Sequence, residues 1–209
     1  MNRLGIGIMA VPERHIMVMN LISKLDLDKS VIAWDENHDG HIINWWRAAD
    51  IALLGKPTHA LIMEDDALPC LDFIETVKKI IDIYPNRTIG FFTRNKEILD
   101  KPAGTLIKIN DVPTDIAVVY PVKELENIRI AYNLKIDSFD RKKRRWGYGA
   151  DEMRKELDPG KVVWTTVPSL IQHGGAEKSS LNHHYPGNLS RNFIGENISG
   201  LSIDWNVKS

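Results

Sequence analysis

The chain has almost nothing to hold it together covalently. It has a single cysteine, Cys70, among 209 residues, so no internal disulfide can form. That usage fits a reducing compartment, and a small buried thiol is the expected state of Cys70. No apolar run is long enough to cross a bilayer. The first residues lack the apolar core of a secretory signal, so the Asn-x-Ser/Thr sequons at Asn86, Asn188 and Asn197 carry little weight. A cytoplasmic protein without a membrane segment is the expectation. An excess of one charge is also lacking. The 27 basic and 28 acidic residues leave a net charge of −1, which excludes binding to nucleic acid through the whole surface. Any hold on anions must be local. No internal repeat is present.

What the chain does have is apolar periodicity. Hydrophobic residues make up 43%, enough for a sizeable core, and the length suits one domain. Residues 4–11 read as a strand whose two glycines allow close backbone approach by a neighbour or ligand. Pro12 opens a helix to about residue 24, with Ile16, Met19, Leu21 and Ile22 as its apolar face. A strand at 30–34 runs into the polar loop 35–40. Residues 43–54 are strongly helical, with Trp46, Ala49, Ile51, Leu53 and Leu54 expected to pack and Gly55 to cap. Further strands are expected at 59–63, 88–93, 105–109, 116–120 and 161–166. Helices are expected at 71–83, 122–133 and from 150 to 157. Strand and helix alternate through the first hundred residues, which predicts an α/β sandwich with a mainly parallel sheet. Residues 1–100 would form one half, 101–180 a second, and 181–209 a polar tail able to close over a ligand.

The chemistry concentrates where the strand at 59–63 runs into Glu64, Asp65 and Asp66. Consecutive carboxylates repel, so three at the end of a buried strand call for a compensating cation, and a hard divalent metal prefers oxygen ligands. The bland alternative is a solvated loop capping the next helix. His173 reads first as a hydrogen-bonded turn histidine; the alternative is a ligand of the same metal, in a mixed oxygen–nitrogen set that suits Mn²⁺. Asp151 and Glu152 read first as acids in a helix's first turn, and otherwise as a general base beside Trp146 and Tyr148. The basic run 141–145 reads as a solvated face or as a phosphate contact. His183, His184 and Tyr185 read equally as substrate contacts and as tail.

In their order these segments resemble a glycosyltransferase of the GT-A fold. They are Val11-Pro-Glu-Arg14 after the first strand, an acid after the second, a helix carrying Asn44 and Arg47, then Glu64-Asp65-Asp66. Gly147-Tyr-Gly-Ala-Asp-Glu152 follows, and Pro168-Ser-Leu-Ile-Gln-His-Gly-Gly175 precedes Ser179 and Ser180. The resemblance spans residues 4–180, and the acidic triplet looks like the DxD motif of that superfamily. It implies a Rossmann-like α/β/α sandwich with a small acceptor-side subdomain. It also implies Mn²⁺ or Mg²⁺ and a nucleoside-diphosphate sugar, a UDP-sugar being expected, as donor. Asp66 would ligate the metal, with His173 a further ligand. Glu64 or Asp65 would contact ribose or donor sugar, and Asp35 would face the nucleoside. Val11, Pro12, Arg14 and Arg47 would lie near the nucleotide. Asp151 would deprotonate the acceptor hydroxyl in an inverting transfer; if it is only a cap, a retaining one stays open.

The chain is short for the superfamily, which leaves few residues for acceptor choice. A glycan is one acceptor. A hydroxymethylated base in DNA is another, with the run 141–145 on the phosphate backbone. Two further classes compete. A nucleotidyltransferase would also use acids and a metal, but its glycine-rich loop is normally basic, and Leu4-Gly-Ile-Gly-Ile-Met-Ala10 is not. A non-catalytic sugar- or nucleotide-binding module would bind without needing Asp151.

Overall fold

The computed structural model describes residues 2–109, 116–142, 149–157, 163–174 and 189–207, without the side chains of Glu97 and residues 137–142. Strand β1 (Leu4–Ala10) leads through a 3-10 turn to helix α1 (His15–Lys24) and β2 (Ile32–Trp34). Then come α2 (His41–Ala52), β3 (His59–Glu64), β4 (Ala67–Pro69), α3 (Phe73–Ile83) and β5 (Ile89–Gly90). The second half holds β6 (Thr105–Ile109), β7 (Ala117–Pro121), α4 (Val122–Lys142), α5 (Ala150–Leu157), β8 (Val163–Val167) and β9 (Ile171–His173).

Seven strands form the central sheet in the order β2-β1-β3-β7-β5-β8-β6. Strands β2, β1, β3, β5 and β8 run one way; β7 and β6 run against them. The sheet is therefore mostly parallel in direction, as expected, though β7 breaks the run at its centre.

Both faces of the sheet are covered, and the strands show it residue by residue. On β3, Leu61 and Met63 enter a core shared with α1 and α3, while Ala60 and Ile62 enter one shared with α2, α4 and α5. Strand β7 alternates likewise, Ala117 and Val119 to the first core, Val118 and Tyr120 to the second. A strand buried on both faces reads as a continuous apolar run, which is why the pattern identified β3 without showing its two sides.

Helix α3 buries the face expected for it, whereas α1 and α2 correct theirs in part. On α1 the buried residues are Val18, Leu21 and Ile22, whereas Ile16 is 76% exposed. Two residues from Val18 is about 200° around the helix, so Ile16 must point away. On α2 the buried stripe is Ile42, Trp45, Ala48, Ala49 and Ala52, and Leu54 is exposed. Small residues won that face because the helix lies hard against β1. A Cβ added to Gly5 would sit 1.7 Å from the carbonyl oxygen of Ala52, and one on Gly7 would sit 1.9 Å from that of Ala48.

The C-terminal segment also departs from the expected tail. Over 189–207 it packs onto the body, with Trp205 fully buried in the first core and its Nε1 donating to the Gly200 carbonyl at 3.1 Å. Those residues are anchored to the first core. Cys70 is buried, and burial pushes its thiol up to about 11.

His59 opens β3 with its ring buried and Nε2 2.9 Å from the Pro85 carbonyl. A carbonyl only accepts, so Nε2 carries the proton. Burial holds the pKa below the ordinary 6.5, against the pull of the Pro85 bond and of Asp82. The unfolded chain therefore takes up a proton here before the folded one does, and stability is lost as pH falls below about 6.5. His59→Gln is expected to flatten the decline of Tm below that pH. An equally steep decline in the variant would assign it to other groups.

Candidate functional site

The chain leaves β1 for the sheet edge at β2, then crosses back to β3 on the other side of β1. Helix α1, after β1, covers one face and α2, after β2, the other, so the loops after these two neighbouring strands part and leave a crevice at the strands' C-terminal ends. A cavity of about 400 Å³ occupies it. Val11 and Arg14 line it from beyond β1, Asp35 from beyond β2, Glu64, Asp65 and Asp66 from β3, and His41 and Asn44 from α2.

His173 completes the lining from the far end of the sequence. What brings it there is a two-stranded ribbon outside the central sheet. Strand β4 pairs antiparallel with β9, setting Ala67 opposite His173 and Pro69 opposite Ile171. The Gly174 N–H then donates to the Asp66 carbonyl at 2.8 Å. Residue 174 has no room for a side chain, since a Cβ would lie 2.9 Å from that carbonyl oxygen. The acids therefore turn into a strand and do not cap α3 directly.

One ligand atom from each of Glu64, Asp66 and His173 falls within 4.8 Å of the others. Asp66 Oδ2 is 3.6 Å from His173 Nε2. Asp66 Oδ1 and His173 Nδ1 are both buried with no hydrogen-bond partner. Leaving such atoms unpaired is costly, so two orphans in one cluster mark a place built for something else to bind. Two carboxylates and an imidazole fit Mn²⁺ well and Mg²⁺ adequately.

Part of the compensating charge that the sequence assigned to a metal comes from the protein. Arg14 Nη1 donates to Asp65 Oδ1 at 2.5 Å and to Asp66 Oδ2 at 3.0 Å. The Val11 N–H adds a bond to Asp65 Oδ2 at 3.2 Å. Even so, burial pushes the Asp65 carboxyl up to about 6, Arg14 pulling against it and Asp66 adding to it. Burial and the neighbouring Glu64 charge raise Asp66 as well. Burial would raise Glu64 too, but the His41 hydrogen bond and the charges of His41, His173 and Arg14 hold it below the ordinary value. Acids pushed apart in this way in a cleft are characteristic of functional sites.

His41 was not foreseen. Its Nδ1 accepts from the Ala150 N–H at 3.0 Å, which leaves the proton of the neutral ring on Nε2, 3.4 Å from Glu64 Oε1. It thereby ties the start of α5 to the acids. The available signal was its place as the first residue of a helix that starts at the same sheet end as the acidic triplet. Asn44 donates to the Ala10 carbonyl at 3.2 Å, and its buried Oδ1 has no partner.

Other expected contacts are placed differently. Asp35 lines the cavity, but its Oδ1 accepts from the Asp39 N–H at 2.8 Å and its Oδ2 from that of Gly40 at 3.1 Å. It organises its own loop before it can face a nucleoside. Arg47 pairs with Asp35 and Asp39 and lies in a cleft with Trp46 and Arg129, outside the cavity lining. Pro12 borders a separate surface cleft with His15 and Trp34. The cavity lining does not include Asp151 either. The point a Cβ on Gly149 would occupy is 2.8 Å from Asp151 Oδ1 and 3.3 Å from His41 Nδ1, so Asp151 neighbours a lining residue.

The side chains of the basic run 141–145 lie outside the described residues. So do Trp146, Tyr148, Ser179, Ser180, His183, His184, Tyr185 and Asn188. Among the described residues no helix is long and apolar enough to cross a membrane. No protein-family model matches the chain, and a search of curated proteins finds no match to it.

Proposed function

We propose that the protein is a metal-dependent glycosyltransferase of GT-A type, moving a sugar from a nucleoside-diphosphate sugar, a UDP-sugar first, to an acceptor hydroxyl. The observation that carries this reading is the convergence of Glu64, Asp66 and His173, two of them with an unpartnered buried polar atom, at the strand ends of a mostly parallel sheet. A bound Mn²⁺ or Mg²⁺ would neutralise the diphosphate and so make it a competent leaving group. Asp66 and His173 would hold the ion, with Glu64 as third ligand. Arg14 supplies a guanidinium, whose planar donors match phosphate oxygens. The cavity has the volume of a small-ligand site.

The acceptor's proton needs a carboxylate beyond the sugar. Asp151 takes that role in this reading because its neighbour His41 lines the cavity. Displacement by the acceptor oxygen forms the new glycosidic bond as the bond to the diphosphate breaks, and the proton passes to Asp151.

A thermal-shift panel of nucleotides and nucleotide sugars, with and without Mn²⁺, tests the donor class. One nucleoside diphosphate is expected to raise Tm only when Mn²⁺ is present, and no response to any would sink the reading. Asp151→Asn is expected to lower turnover by about 10²-fold while leaving Mn²⁺ and donor binding intact. Full activity in that variant would remove Asp151 as base.

A further inference from the structure

Arg14 holds a position that a nucleotide contact alone does not require. One nitrogen, Nη1, bonds carboxylates of two consecutive acids. Of the two oxygens, Asp66 Oδ2 is the one that also faces His173 Nε2. We infer that Arg14 is the resident counter-ion of the acidic site, which a divalent cation displaces from Asp66 and so releases toward the diphosphate bound with that cation.

The inference rests on the metal reading of Glu64, Asp66 and His173, and the geometry gives it direction. Asp66 and His173 belong to the candidate ligand group; Asp65 does not. A cation drawn to Asp66 arrives next to the guanidinium, and like charges at such range repel strongly in a half-buried site. Arg14 can yield Asp66 and still keep Asp65, whose carboxylate is anchored by the Val11 N–H. Its Nε and Nη2 make no hydrogen bond among the described residues, so their N–H groups remain for an anion in the cavity that Arg14 lines. A guanidinium pairs with phosphate oxygens through two parallel N–H bonds. Metal alone therefore has to compete with Arg14, whereas metal and diphosphate together gain from it. The two ligands should bind synergistically.

The test uses the full chain, with MnCl₂ alone and inorganic pyrophosphate as probes. By isothermal titration, Arg14→Met is expected to bind Mn²⁺ alone about tenfold more tightly than the wild type. At saturating Mn²⁺ it is expected to bind pyrophosphate about tenfold more weakly. Equal or weaker Mn²⁺ binding in a folded Arg14→Met overturns the inference and would make Arg14 a structural pillar. If the wild type binds Mn²⁺ and the variant matches it, only the role of Arg14 falls. If neither chain binds Mn²⁺, the metal reading falls with it. Should Arg14→Met fail to fold, nitrogen-15 spectra of the wild-type arginine side chains decide the matter. Mg²⁺ alone is expected to shift the Arg14 guanidinium signal, and an unmoved signal overturns the inference.

Discussion

Asp66→Ala is expected to reduce Mn²⁺ affinity by more than about 100-fold and to bring sugar transfer down to background. Asp66 is 6% exposed, and its two oxygens do different things: Oδ2 faces Arg14 and His173, while Oδ1 has no partner. The other candidate ligands, Glu64 and His173, cannot replace it, since three ligands already leave a divalent ion mostly to water and substrate. The same substitution has an opposite effect on the metal-free protein. Burial, together with the charge of Glu64, raises the Asp66 pKa above its ordinary 3.8. The folded chain thus binds this proton more tightly than the unfolded chain. The sign follows: stability contributed by the protonated form is lost as pH rises through the folded pKa. Alanine removes that loss, and Arg14 keeps Asp65 as a partner. At neutral pH the metal-free variant is therefore expected to melt no lower than the wild type, and higher if the relief outweighs the lost Arg14 contact. Calorimetry without metal and titration with MnCl₂ measure the two effects separately. Retained Mn²⁺ affinity would remove Asp66 from the site. Loss of affinity together with a lower metal-free Tm would make the carboxylate a structural element.

The difference between legible and illegible parts of this molecule follows from range. Strands β1, β3 and β7 could be read because their apolar runs are bounded by turn residues, and burial on both faces favours such runs. The position of Glu64, Asp65 and Asp66 at a strand end followed from β3 directly. Ribbon β4–β9 could not be read. Each strand is three residues long, β4 ends in a proline, and the pairing joins segments about a hundred residues apart. Nothing local announces such a contact, yet it sets His173 beside Asp66. Arg14 was legible as a residue beyond β1, where it lines the cavity, and illegible as the partner of two acids, because an ion pair between loops depends on how both loops bend. Arg47 shows the opposite failure: a helix residue one turn from the site was taken by Asp35 and Asp39, which sit nearer. The apolar face of α2 was read in part, its centre at Trp45, Ala48 and Ala52 being missed. Ala49 is buried and Trp46, Ile51 and Leu53 pack at the core's margin as expected, but Leu54 is exposed, and the face that packs closest is the one whose alanines let the helix approach.

That approach makes Gly7→Ala a severely damaging small substitution. The added Cβ would lie 1.9 Å from the Ala48 carbonyl oxygen and 2.7 Å from its carbon. Both are backbone atoms, so no side chain can turn aside. Relief requires α2 to lift from β1 or β1 to leave the sheet, where it pairs with β2 on one side and β3 on the other. Overpacking in a core costs about 1–3 kcal/mol where side chains can adjust, so about 3 kcal/mol or more is expected here, and Gly7→Val should not accumulate as folded protein. Denaturant titration of Gly7→Ala checks the figure, and a cost below about 1 kcal/mol would show that the helix yields easily. The damage should reach the site in a definite order. Helix α2 carries His41 and Asn44 into the cavity, while the acids sit at and just beyond the end of β3 and Arg14 beyond β1. If α2 lifts in a variant that still folds, the 3.4 Å approach of His41 to Glu64 opens, while β4 and β9 still hold Asp66 against His173. Gly7→Ala is therefore expected to retain most of its Mn²⁺ affinity per folded molecule while losing turnover. The close packing of two glycines under one helix is then what keeps the α2 wall of the cavity in register with its acids.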